Sequence, residues 1–157
     1  MLVAMDTLLA TFLARGWTLA VAEGDTGGQL LAQLTAQPGR SAVVLGGVVA
    51  YHDDLKRGLL GVAAEVLQRH GAVSAEAAAA MASGVRQAVG AVVGLATTGI
   101  AGPGGATPSK PVGLAYVAAS SAERTLVRRH VWQGDRATNR AQSAQAALRL
   151  ALELVEV

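Results

Sequence analysis

WTLAVAEGDTGGQLLAQLT, residues 17–35, decides how the chain is read. Its first part, 17–22, is a short apolar run suited to a strand. Two glycines follow, and apolar residues at helical spacing resume over 27–35. A strand that enters a helix through a Gly-Gly turn opens an α/β unit. Amides freed at such a helix start can hold an anion or an oxyanion, because nothing else satisfies them and the helix dipole points the right way. Asp25 or Thr26 is expected to cap the helix. Taken alone, such a turn more often only caps a helix. Its tightest point, moreover, is Gly24, which has no side chain to react with anything.

Working outward, residues 5–15 carry Leu8, Leu9, Phe12 and Leu13 at helical spacing and stop at Gly16. Residues 43–51 (VVLGGVVAY) are apolar on both faces, which predicts a strand buried between helix layers. Asp53 and Asp54 are candidate caps for the next short helix, and 62–70 forms another. Ser74 should cap a long Ala-rich helix running to about residue 89. Residues 92–97 read as a second buried strand, and 99–113 as a Gly/Pro-rich loop within the domain. Residues 114–119 and 125–132 pair as a hairpin, and 137–155 make a closing helix. Helices alternate with strands first and the hairpin comes late. The expected fold class is therefore α/β: a three-layer α/β/α sandwich with a mixed, mostly parallel sheet and a late β-hairpin. No repeat or linker appears, so a single domain is expected over residues 1–157.

Composition narrows the function classes. Hydrophobic residues make up 52% and charged residues 15%, which excludes disorder and makes self-association into a homo-oligomer a reasonable expectation. A net charge of +2, one basic cluster (Arg128, Arg129, His130) and 3% aromatics argue against nucleic acid as a partner. There is no cysteine, and His52, His70 and His130 lack ligand spacing, so no metal is expected. Asp6 precedes Arg15, unlike the basic start of a signal peptide. The uncharged stretch 87–109 is broken by glycines and prolines, so no membrane span is expected and a cytoplasmic protein fits best.

Two further segments gather polar groups at expected strand ends, where open α/β sheets bind ligands. In Tyr51-His-Asp-Asp-Leu-Lys56, a phenol at the strand end and an ammonium one helical turn later can face one cleft; the plainer alternative is a strand-end aromatic and a solvated lysine. Against that alternative, the chain has eleven arginines and two lysines, and both lysines, Lys56 and Lys110, lie in these segments. Lysine can act as a base when desolvated, whereas arginine effectively cannot. The third segment runs from Thr98 and Gly99 through Gly102, Pro103, Gly104 and Gly105 to Lys110. Its glycines let backbone approach a ligand, and it fits neither the phosphate-loop nor the dinucleotide pattern.

Together these segments resemble the CinA carboxy-terminal domain family, whose characterised members are nicotinamide-nucleotide amidohydrolases, or NMN deamidases. The resemblance rests on TLAVAEGDTGG against the family's AESCTGG turn, PGRSAVVLGGVVAYHDDLK against its PGSS…GGVVAYSNEAK, TGIAGPGGATPSKPVG almost unchanged, and GDRATNR near the end. It implies a hydrolase, without metal or other cofactor, that releases ammonia from the carboxamide of nicotinamide mononucleotide and leaves nicotinate mononucleotide. It also implies a domain often fused behind a molybdopterin-binding-like domain, which is not expected in this chain. In the family turn a serine is taken as nucleophile, with a lysine as its base and a tyrosine nearby. Lys56 and Tyr51 match those partners, while Gly24 stands at the serine position and Asp25 at the small residue after it. Gly27, Gly28, Gly99, Gly102, Pro103, Gly104, Gly105 and Lys110 match the family's binding segments, and Arg136 and Arg140 match a late basic pair suited to a substrate phosphate.

Losing a nucleophile in enzymes of the triad kind costs about 10⁴- to 10⁶-fold in rate. Three readings therefore stand open. The favoured one keeps a pocket for a small pyridine nucleotide with deamidase activity weak or lost. In the second, Thr26 substitutes as the hydroxyl or Asp25 activates a water. In the third, the cleft handles another small molecule altogether. A class apart is a structural domain whose apolar, Ala-rich helices serve oligomerisation.

Overall fold

The computed structural model describes residues 2–156, with side chains from residue 5; Met1 and Val157, the ends of the expected single domain, lie outside the described residues. In chain order the elements are α1 (Leu2–Arg15), β1 (Leu19–Glu23), α2 (Gln29–Leu34), a 3₁₀ turn (Arg40–Ala42), β2 (Val44–Val49), α3 (Asp53–Leu60), α4 (Ala64–His70), α5 (Ala75–Val89), β3 (Val93–Gly99), β4 (Leu114–Ser120), β5 (Thr125–Val131) and α6 (Arg136–Val155). The five strands form one sheet in the order β2-β1-β3-β4-β5. β1 pairs in parallel with β2 and β3, and β3–β4 and β4–β5 are antiparallel, so only β4 runs against the other four. This is the expected mixed sheet with its late hairpin.

The pleat sorts each strand between two cores. Leu19 and Val21 of β1, Val93 and Leu95 of β3, and Val117 of β4 point into a cluster with Leu8, Phe12, Leu30, Leu34, Leu148 and Leu150 from α1, α2 and α6. The alternate residues Ala20, Ala22, Ala96 and Ala118 meet Leu60, Met81, Ala82 and Val85 from α3 and α5. Large side chains thus fill one face and alanines the other. Alanine lets the Ala-rich α5 lie close on the sheet: a Cβ at Gly94 of β3 would sit 2.0 Å from the Ala82 carbonyl oxygen.

Three expectations need correction. Residues 43–51 were expected as a strand buried between helix layers, but β2 is an edge strand, with Leu45 46% and Val49 42% exposed. A continuous apolar run does not distinguish a central strand from an edge. Asp25 or Thr26 was expected to cap α2, yet no side chain of the N-cap residue, Gly28, does so. Instead the carboxylate of Glu23, at the end of β1, accepts from the amides of Leu30 (2.8 Å) and Leu31 (3.0 Å). The cap of α3 is His52, whose Nδ1 accepts from the Asp54 amide, rather than Asp53 or Asp54. Ser74 caps α5 as expected, accepting from the Ala77 amide at 3.1 Å. No helix among the described residues is long and apolar enough to cross a membrane.

Candidate functional site

The strand order reverses its direction of growth between β1 and β3. Beyond their carboxyl ends the loops diverge and leave a crevice, the usual ligand position of open α/β sheets. A cavity of about 220 Å³ opens there, lined by Gly24 and Asp25 after β1, Tyr51, Asp53 and Lys56 after β2, Thr98, Gly99 and Ala101 after β3, Ala72 and Val73 before α5, and Arg136 at the start of α6.

Lys56 is buried, 4% exposed, and its Nζ donates to Asp53 at 3.2 Å and to the Tyr51 carbonyl at 3.5 Å. A buried ammonium needs such a partner, because desolvation alone would favour its neutral form. The partner is Asp53, a residue that the three sequence segments did not single out as part of the site. Its only sequence signal is the spacing of three to Lys56 on one helix face. Tyr51 is 64% exposed, and its hydroxyl accepts from Arg136 at 3.3 Å. The other arm of Arg136 donates to the Gly102 carbonyl at 2.9 Å, so this arginine ties the cavity rim to the glycine-rich loop.

Asp25 is the unusual member. It is 9% exposed, and its Oδ1 is buried without a hydrogen-bond partner. Burial pushes its pKa up from 3.8 to about 6; a bond to its own backbone and the charges of Arg140 and Arg136 work against the rise, and Glu23 adds to it. The carboxylate fits only because residue 99 is glycine: a Cβ there would lie 2.7 Å from Asp25 Oδ2.

The remaining predicted residues sit behind or beside the cavity. Thr26 is fully buried; its hydroxyl donates to Glu23 at 2.6 Å and meets the Thr97 hydroxyl at 2.7 Å. Arg140 donates to the Asp25 and Thr26 carbonyls at 2.9 and 3.0 Å, clamping the turn from outside. Together with Gly27 and Gly28 it lines a separate surface depression. Lys110 reaches away from the cavity to the His70 carbonyl at the end of α4 and staples the long loop there. Gly102, Pro103, Gly104 and Gly105 do not line the cavity; Gly102 supports it through Arg136. Thr98, which sequence reasoning placed only at the loop's start, lines the wall and spends its hydroxyl on the Ala72 carbonyl at 2.6 Å. Among the described residues no three His, Asp or Glu side chains come together as an ion site.

The model of the CinA C-terminal domain matches residues 3–155. A CinA-like protein of Anaeromyxobacter dehalogenans is 47% identical over 145 residues, which cover 92% of this chain and 36% of that protein. The chain spans about a third of the length of the curated relatives it matches. Among solved structures, the competence/damage inducible protein CihA from Agrobacterium tumefaciens superposes with a TM-score of 0.93 at 36% identity, covering 96% of this chain and 93% of its own. The competence-damaged protein (CinA) superfamily protein from Escherichia coli gives 0.93 at 30% identity, covering 97% and 88%.

Proposed function

This chain belongs to the CinA C-terminal domain family, and we propose that its cavity binds a small pyridine nucleotide such as nicotinamide mononucleotide, with amidohydrolase activity weak or lost. One observation carries the reading: Gly24 forms the cavity wall where the resembled family's turn bears its serine, while Lys56 and Tyr51 still line the same cavity. An acyl-enzyme route needs an attacking hydroxyl beside the lysine, and a glycine supplies none. What remains suits binding. Arg136 at the rim offers a charge for a phosphate. At about 220 Å³ the cavity is smaller than the roughly 300–1,000 Å³ of sites that enclose a whole drug-sized ligand, so it fits a pyridine ring and its carboxamide, with the sugar phosphate extending outward.

The buried Asp25 favours one alternative, direct hydrolysis. With a pKa of about 6 it is mostly ionised at pH 7 and basic enough to take a proton from water. The water oxygen would bond to the carboxamide carbon, the C–N bond would break, and the proton returned by Asp25 would leave with ammonia. Thr26 is the poorer substitute, since its hydroxyl would have to abandon both Glu23 and Thr97.

The test is ammonia release from nicotinamide mononucleotide by the native chain, Gly24→Ser and Asp25→Asn, beside a thermal shift with the same ligand. The expected result is a shift that disappears in Lys56→Ala and Arg136→Ala, with turnover rising at least about tenfold in Gly24→Ser. Native turnover equal to that of Gly24→Ser and abolished by Asp25→Asn would overturn the first reading in favour of the second. Absence of a shift with any pyridine nucleotide would leave the structural, oligomerising role.

A further inference from the structure

Six polar side chains line the cavity: Asp25, Tyr51, Asp53, Lys56, Thr98 and Arg136. Five of them are bonded to other residues of the chain. Lys56 is held by Asp53, Tyr51 by Arg136, and Thr98 by the Ala72 carbonyl. Asp25 alone has a buried oxygen with no partner, and a missing side chain at residue 99 makes its room. A buried acceptor without a donor is costly to keep, and the same carboxylate lines the cavity and keeps 9% of its surface exposed there, where a ligand N–H can pair with it.

We propose that Asp25 is the specificity-determining residue of this cavity: its carboxylate accepts a hydrogen bond from a primary carboxamide and repels a carboxylate in the same place, so that the site takes the amide form of a pyridine nucleotide and rejects the acid form. This rests on the pyridine-nucleotide reading above. The geometry supplies the discrimination directly. A carboxamide offers two N–H donors and no charge, whereas the corresponding acid offers only acceptors and a negative charge to an acceptor that is itself largely shielded from water. A site whose polar group is paired by one ligand and left opposed by another discriminates far more strongly than an apolar pocket does. The positive pyridinium ring common to both ligands gains equally from the carboxylate and does not alter the preference.

The preference carries a pH signature. The groups facing Asp25 are Glu23 on β1, Arg136 and Arg140 on α6, and, across the cavity, Asp53 and Lys56 on α3. With the Asp25 pKa near 6, the group is an acceptor at pH 8 and largely a protonated carboxyl at pH 5, able to donate to an acid ligand. The ligand phosphate also titrates in this range, but it does so in both ligands and cancels in their affinity ratio.

The experiment is isothermal titration calorimetry of the native chain with nicotinamide mononucleotide and nicotinate mononucleotide at pH 5 and pH 8, repeated with Asp25→Asn. The expected result is a native preference for the amide of at least about tenfold at pH 8, shrinking several-fold by pH 5 and lost in Asp25→Asn. Equal native affinity for both ligands at pH 8, or a preference that Asp25→Asn retains in full, overturns the inference and leaves the binding reading intact. Failure of the native chain to bind either ligand overturns both. The native pH series needs no variant, so a poorly folding substitution would not shield the proposal.

Discussion

Replacing Asp25 with asparagine should make the protein's stability respond differently to pH. In the folded chain the Asp25 pKa stands at about 6, against 3.8 for a free aspartate. The folded state therefore holds this proton more tightly than the unfolded chain does. Below about pH 3 both states are protonated and Asp25 costs nothing. Between about pH 4 and pH 6 the unfolded state gains by ionising first, and well above pH 6 the full penalty is present. At 1.36 kcal/mol for each pH unit, a gap of this size amounts to about 3 kcal/mol, a large part of the 5–15 kcal/mol that typically separates folded from unfolded domains. Asparagine carries no proton to lose. Whatever fixed offset its amide introduces, the stability difference between Asp25→Asn and the native chain should move in the variant's favour by about 2.5 kcal/mol between pH 4 and pH 8, or about 5–10 °C in Tm for a domain of this size. Urea denaturation of both proteins at pH 4, 5, 6, 7 and 8 measures this directly. A difference that stays flat within about 0.5 kcal/mol, or that moves toward the native chain as pH rises, would refute the claim that this carboxylate is buried at the cavity wall.

Other residues yield further outcomes. Glu23 is 1% exposed and accepts from two amides and one hydroxyl, so Glu23→Ala should lower stability by about 2–4 kcal/mol, read as a shift in the urea midpoint. Gly99→Ala would drive a methyl to 2.7 Å from Asp25 Oδ2 and 3.1 Å from Ala115 Cβ; a loss of about 1–3 kcal/mol is expected, with the pH response of Asp25 altered because its carboxylate must move. Lys110→Ala removes only a solvent-exposed staple to the His70 carbonyl, so global stability should fall by no more than about 1 kcal/mol while amide exchange quickens around residues 107–110.

The site was legible in outline. The segments at Gly24, at Tyr51 to Lys56 and at Thr98 to Gly99 do converge on one cavity, because each ends a strand of the parallel half of the sheet, whose carboxyl ends share one edge. What misled sequence reasoning was direction. Thr26 and Lys110 occur in these segments and Arg140 in the late basic stretch, but their side chains turn outward or behind the turn to satisfy carbonyls and Glu23. A motif gives the order of residues along the chain and says nothing about which backbone groups will be left needing a donor.

The order and type of the elements were already determined by the sequence, since apolar periodicity and glycine stops are local properties that hold before any tertiary contact forms. The sorting of large and small side chains to opposite faces of the sheet follows from the same alternation. Three things were decided only in three dimensions: that β2 lies at an edge, that Lys56 with its helix neighbour Asp53 is buried at the cavity, and that Asp25 keeps an unpaired oxygen in the space residue 99 leaves open. Each depends on which segments become neighbours once the sheet is assembled, and desolvation acts on a carboxylate or an ammonium only through those neighbours.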